Sequence, residues 1–300
     1  MAETLKTCGP ALLGIEDFET QMVTTLASII TRTHPCQQDM GDEEEHDAEN
    51  GTSEFDWLVI DTAMDAVIGM AAAMGPSFAQ HWAVFQKPVI KCASSQEDQE
   101  RSTATGATAE IIRYLDTAVT PFTESLAKIL LHRLSDNDVL TKSNAAFAIG
   151  QLIVSSGDEG VLSLYEEVVR KIEPALAITD SRMQDNVAGC FSRMMIRNPD
   201  PAIVAKLLPE VVNILPLKED YEENAPIFQC IYKLCTFYPL MSDPPFSPAN
   251  ANNSADDASN PTVKELTPRL APIFKSVLAE PQEQLDHETR EMVSKIMQHI

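Results

Sequence analysis

The sequence predicts an all-α chain: an α-solenoid (superhelix) of about six or seven antiparallel helix pairs. Three observations predict it. Apolar residues recur at helical spacing in one segment after another; in Asp138–Gly157, Ala145, Ile149 and Leu152 make a core stripe that Leu140, Ala148 and Ile153 widen. A polar residue near the start of such a helix returns roughly every forty residues, at Thr62, Thr103, Asn144, Asn186 and Asn224. Each is preceded by an acid or a serine: Asp61, Ser102, Ser143, Asp185 and Glu223. With only 11 Gly and few alternating β-branched runs, a large sheet is not expected.

A period near forty with two helices per unit is the signature of HEAT or armadillo-type solenoids. Stacked pairs bury their apolar faces on their neighbours and line equivalent positions up as a ladder. An asparagine favours caps and turns over helix interiors, so its return needs a reason. Two readings stay open: a ladder that meets a ligand, or polar ties across the short turns between helices.

In chain order, residues 1–15 lack a clear pattern and Gly9-Pro10 breaks them. Ile15–Arg32 reads as a helix on Phe18, Met22, Leu26 and Ile29. From Asp39 to Glu54 the chain carries acids and no Lys or Arg, which predicts a self-repelling, disordered loop at 39–54. A helix follows from Phe55 to Met74, and another from Pro76 to Cys92 with a kink expected at Pro88. Ser94–Leu115 carries Thr103, and Thr120-Pro121 opens the next helix with proline at its first position. Val161–Ile178, Ser181–Arg197, Ile203–Leu215 and Glu222–Tyr238 continue the pairs. The Pro-, Asn- and Asp-rich stretch 243–260 predicts a second disordered loop, and Thr262–Ala279 with Leu285–Ile300 closes a single arch spanning 1–300.

Composition narrows the function. The 45 acids against 22 Lys plus Arg give a net charge of −23, which makes nucleic acid and anionic membranes poor partners and a basic protein or peptide a natural one. No apolar run is expected to reach membrane-spanning length, and the N-terminus lacks a basic, apolar signal peptide. The six cysteines form no C-x-x-C pair and read as reduced thiols of a cytosolic or nuclear protein. The histidines are scattered without nucleophile–base spacing and there is no glycine-rich phosphate loop, so no catalytic residue, no metal and no cofactor is expected, and the chain is read as no enzyme.

R-T-H-P-C-Q-Q-D, the acidic insertion, F-D-W-L-V-I-D-T-A-M-D, P-F-T-E-S-L-A-K-I-L-L-H-R-L-S-D, K-S-N-A-A-F-A-I-G, D-N-V-A-G and L-P-L-K-E-D-Y-E-E-N, in this order, resemble the C-terminal part of the karyopherin-β (importin-β) family of nuclear import receptors, nearest in type to its beta-4 receptors. The resemblance covers nearly the whole chain. It implies a monomeric carrier that shuttles between cytoplasm and nucleus, takes up basic cargo such as core histones and ribosomal proteins, and crosses nuclear pores on FG-repeat nucleoporins. It also implies cargo release by Ran-GTP, bound by an N-terminal arch that has no counterpart in these residues.

The residues agree with that expectation. Stacked helices lie about 8–10 Å apart and an extended peptide advances about 3.3 Å per residue, so one ladder position meets roughly every third peptide residue. An asparagine side chain both donates and accepts, and can hold a peptide's main chain whatever its sequence. Trp57, Asp61 and Asp65 share a helix face, where a ring packs on a lysine stem and carboxylates take its charge. The expected cargo-binding set is Trp57, Asp61, Asp65, Thr103, Glu110, Asn144, Gln151, Asp185, Asn186, Glu223 and Asn224. The alternative is a static HEAT scaffold that binds folded partners with little dependence on their charge.

Overall fold

In the computed structural model, residues 2–37, 54–236, 260–279 and 284–299 are described. The chain divides into two compact units, Met1–Val161 and Leu162–Ile300. Among the described residues every regular element is helical. The acidic stretch and the Pro/Asn/Asp-rich stretch lie outside the described residues, except for their last positions: Glu54 begins a helix and Asn260 caps one.

The first unit holds α1 (Ala2–Leu13), α2 (Phe18–Ile30), α3 (Glu54–Met74), α4 (Ala79–Cys92), α5 (Asp98–Leu115), α6 (Thr123–Arg133) and α7 (Val139–Ser155). They stack as HEAT-type pairs of an α-solenoid. Helices α1, α3, α5 and α7 pack side by side in one row, and α2, α4 and α6 back that row. The row is close because small residues let it be. A Cβ on Gly9 would overlap the Ala73 side chain, and one on Gly69 would lie 2.8 Å from the Ala2 carbonyl oxygen. That explains a departure from the sequence reading: Ala2–Leu13 is helical, with a kink at Cys8, because Gly9 is the contact point with α3 and not only a breaker. The core between the rows is aromatic. Phe78, Trp82 and Phe85 are fully buried, with Phe78 and Phe85 stacked at 6.1 Å between ring centroids.

Two expectations in this unit need correction. The stretch Trp57–Cys92 is, by length and composition, apolar enough to cross a membrane; half of it is buried here, because a turn at Gly75 folds it back into α3 and α4 of one packed pair. Leu140 is 41% exposed and does not widen the α7 stripe, because it lies in the helix's first turn. Several predicted starts also shift: Asp116–Phe122 is 3-10 helix leading into α6, where a start at Pro121 was expected.

The second unit holds α8 (Tyr165–Ile172), α9 (Ser181–Arg197), α10 (Pro201–Ile214), α11 (Asn224–Thr236), α12 (Pro261–Leu278) and α13 (His287–His299). Here α9, α11 and α13 form the row, backed by α10 and α12. Phe228 and Phe274 meet edge-on at 5.7 Å in its core. The predicted helix Val161–Ile178 is divided: 3-10 turns at Glu159–Leu164 and Glu173–Ala177 flank the short α8.

Helix starts are set by acids and amides that satisfy otherwise unpaired backbone N–H groups. Asp138 accepts from the Thr141 N–H at 2.7 Å, Asp180 from Met183 at 2.8 Å, Asp200 from Ala202 at 2.9 Å, and Asn260 from Thr262 at 2.8 Å. Asp286 does the same for Thr289 at 2.8 Å, and those bonds pull its carboxyl below the usual carboxylate range.

Candidate ligand-binding face

On α3, Trp57, Asp61 and Asp65 follow one another at one-turn spacing, as the sequence predicts. Trp57 and Asp61 are half-buried and Asp65 is exposed. The Trp57 indole N–H has no acceptor among the described residues. Partial desolvation of its carboxyl, then the neighbouring Asp61 charge, raises the Asp65 carboxyl above its ordinary value, with Lys6 opposing them. Two carboxylates sharing a surface strip favour a cation between them.

The strip is continued by the neighbouring helices of the row. The Thr103 hydroxyl of α5 donates to Asp61 Oδ1 at 3.0 Å, and the Asn144 amide of α7 donates to the Ser102 carbonyl at 2.8 Å. The ladder seen in the sequence is thus a set of real cross-helix bonds in this unit. Gly106 makes the second one fit: a Cβ there would stand 3.0 Å from Asn144 Nδ2. Thr103, Gly106, Glu110 and Asn144 are all half-buried, so each keeps a solvent-facing part. Glu110 lies 3.8 Å from Arg113 on its own helix.

Five expected cargo contacts are corrected by their burial. Gln151 is 8% exposed, Asn186, Glu223 and Asn224 are each 2% exposed, and Asp185 is fully buried. Asp185 accepts from the backbone N–H groups of Lys218, Glu219 and Asp220, at 3.1, 2.8 and 2.9 Å to one oxygen. Glu223 forms a bidentate pair with Arg193, and the Asn224 amide donates to the Gln284 carbonyl at 3.1 Å. Asp185, Glu223 and Asn224 tie helices and turns together, which is the alternative reading that residue type alone left open.

What the sequence did not mark is a cluster of charges at the helix turns of the first unit. Arg101 donates to both Asp136 oxygens, at 3.1 and 3.0 Å, and to the Ser95 and Gln96 carbonyls. Arg133 adds a bond to Asp136 at 2.6 Å. The signal was present as an Arg followed by an acid-rich turn one repeat later, but it lacks helical spacing and so escapes a periodicity search.

No family model matches the chain. It is 32% identical over 249 residues, 83% of its length, to a probable importin subunit beta-4 of Schizosaccharomyces pombe. It is 31% identical over 227 residues to importin-4 of Homo sapiens and 29% over 223 residues to importin-4 of Mus musculus, 73% of its length in each case. The chain spans only 21%, 20% and 20% of these relatives. Over these aligned residues the chain is a karyopherin-β relative of the importin-4 proteins.

Proposed function

We propose that the chain is a cargo-binding part of a nuclear import receptor, and that the α3–α5–α7 face of its first unit holds a lysine-bearing segment of a basic protein. The observation that carries this reading is the Asp61–Asp65 pair on α3, set beside Trp57 and continued by Thr103 and Asn144. A lysine stem packs on the indole while its ammonium lies between the carboxylates. Thr103, Asn144 and Glu110 offer further polar contacts along the segment. The net charge of −23 draws a basic ligand in and speeds encounter more than it tightens the complex.

Core histones and ribosomal proteins are cargoes of suitable chemistry. Passage on FG-repeat nucleoporins, shuttling between cytoplasm and nucleus, and release by Ran-GTP through another part of a longer receptor belong to the same reading. The test is a titration with a lysine-rich histone tail peptide at two salt concentrations, on the parent chain and on Asp61→Lys. Affinity should fall with salt and fall at least tenfold in the variant, with helicity unchanged. Equal affinity of a folded Asp61→Lys chain would overturn the site.

A further inference from the structure

A surface cavity of about 680 Å³ opens between the α4–α5 and α6–α7 turns of the first unit. Three serines line it: Ser94, Ser95 and Ser135. Each is followed three positions on by an acid, namely Glu97, Asp98 and Asp138. A serine with carboxylates downstream is the substrate pattern of acid-directed serine kinases, whose basic clefts read those charges. The strongly acidic chain suits such a cleft.

The structure separates the three. At Ser135 the downstream acids are occupied: Asp136 is held by Arg101 and Arg133 with its side chain 5% exposed, and Asp138 caps α7 through Thr141. At Ser95 the hydroxyl itself is occupied, accepting from the Glu97 N–H at 3.2 Å and bonding the buried Glu100. Ser94 is exposed, and its one bond among the described residues, to the Ile90 carbonyl at 2.9 Å, is a solvent-facing bond within the last turn. Glu97 is exposed, stands at the N-cap of α5 without capping it, and its carboxylate has no partner among the described residues. Asp98, one residue further, is 69% exposed. Across the cavity Arg133 is 8% exposed, and its Nε has no acceptor among the described residues.

We propose that Ser94 is a phosphorylation site for an acid-directed serine kinase, selected over Ser95 and Ser135 by its exposed hydroxyl and by the exposed Glu97 carboxylate. The Ser94 Oγ attacks the γ-phosphorus of Mg-ATP supplied with the kinase. The bond to ADP breaks, ADP leaves with its electron pair, and the serine proton passes to the kinase's base. The product carries about −1.5 to −2 charges at the rim of a cavity whose far wall has a spare guanidinium N–H.

The test treats the folded chain with Mg-ATP and a casein kinase 2-type enzyme and reads two tryptic peptides by mass spectrometry, Cys92–Arg101 and Leu134–Lys142. One phosphate is expected on Cys92–Arg101, localised to Ser94, absent in Ser94→Ala and formed at least tenfold more slowly in Glu97→Gln. Leu134–Lys142 should stay unmodified in the folded chain and gain phosphate when offered as a free peptide. Phosphate on Ser95 or Ser135 of the folded chain in preference to Ser94, an unchanged rate in Glu97→Gln, or no phosphate on Cys92–Arg101 would each overturn the assignment.

Discussion

Arg193 of α9 and Glu223 at the start of α11 form a two-bond ion pair, Nη1–Oε2 2.5 Å and Nη2–Oε1 2.7 Å, with side chains 6% and 2% exposed. It lies over Gly189, where a Cβ would overlap the Glu223 carboxylate. Gly189 is therefore needed for room, since it sits in ordinary helix. Gly189→Ala must displace the pair or the helix, and such overpacking costs about 1–3 kcal/mol. Glu223→Leu alone removes both bonds of this pair from a buried guanidinium and should cost about 3–5 kcal/mol. The double variant Arg193→Met/Glu223→Leu should recover part of that loss. Denaturant midpoints of the four chains check the ordering; an unaltered midpoint in Gly189→Ala would remove the packing argument.

Asp220 lies beside the same cluster and gives a pH dependence. Burial first, then the Glu223 charge, push its carboxyl up to about 6; Glu222 and Asp185 add to this and Arg182 opposes it. The ordinary Asp value is 3.8. Between these values the folded state holds a proton that the unfolded state has lost, so stability falls as pH rises through that window. Asp220→Asn abolishes this slope. Its melting temperature should exceed the parent's at pH 7.5 and match it at pH 4. A parent and variant that run parallel from pH 4 to 7.5 would refute the assignment.

The thiols divide by environment. Cys8 and Cys36 are exposed, whereas Cys92, Cys190, Cys230 and Cys235 are buried. Burial pushes Cys92, Cys190 and Cys230 up to about 12 and Cys235 up to about 11, so the reactive thiolate is scarce there. Ellman's reagent at pH 8 should modify Cys8 and Cys36 quickly in the native chain and the remaining cysteines only after denaturation. Rapid native modification of Cys190 would contradict the packing of α9.

Fold class was legible because a helix row imposes a period on its apolar stripe, and Ala145, Ile149 and Leu152 carry that period plainly. The ladder was legible as positions but not as roles. Asn144 and Asn186 occupy matching places in their helices, yet Asn144 is half-buried beside Gly106 while Asn186 is 2% exposed. Residue type cannot separate them, because exposure depends on which turn folds over each helix. For Asp185 it is the Lys218–Asp220 turn that closes over the carboxylate. The charge cluster at Asp136 was missed for the same reason, since its partners come from turns that no helical period connects.

Binding of a lysine ammonium at the proposed face should be linked to proton release. Asp65 keeps its proton to a higher pH than an ordinary carboxyl, because partial desolvation and the Asp61 charge both disfavour its charged form. An incoming cation favours the charged form, so affinity rises as pH climbs through the Asp65 value and levels off above it. Asp61→Asn removes the repelling charge; affinity should drop and the rising limb should move to lower pH. Lys6 already lowers the Asp65 value and competes with the ligand for the same carboxylate. Lys6→Gln should therefore strengthen peptide binding at neutral pH and move the limb to higher pH. Titrations of a lysine-rich peptide from pH 4.5 to 7.5 on the three chains check this. Weaker binding in Lys6→Gln, or limbs that do not move in opposite directions, would show that the ammonium sits elsewhere.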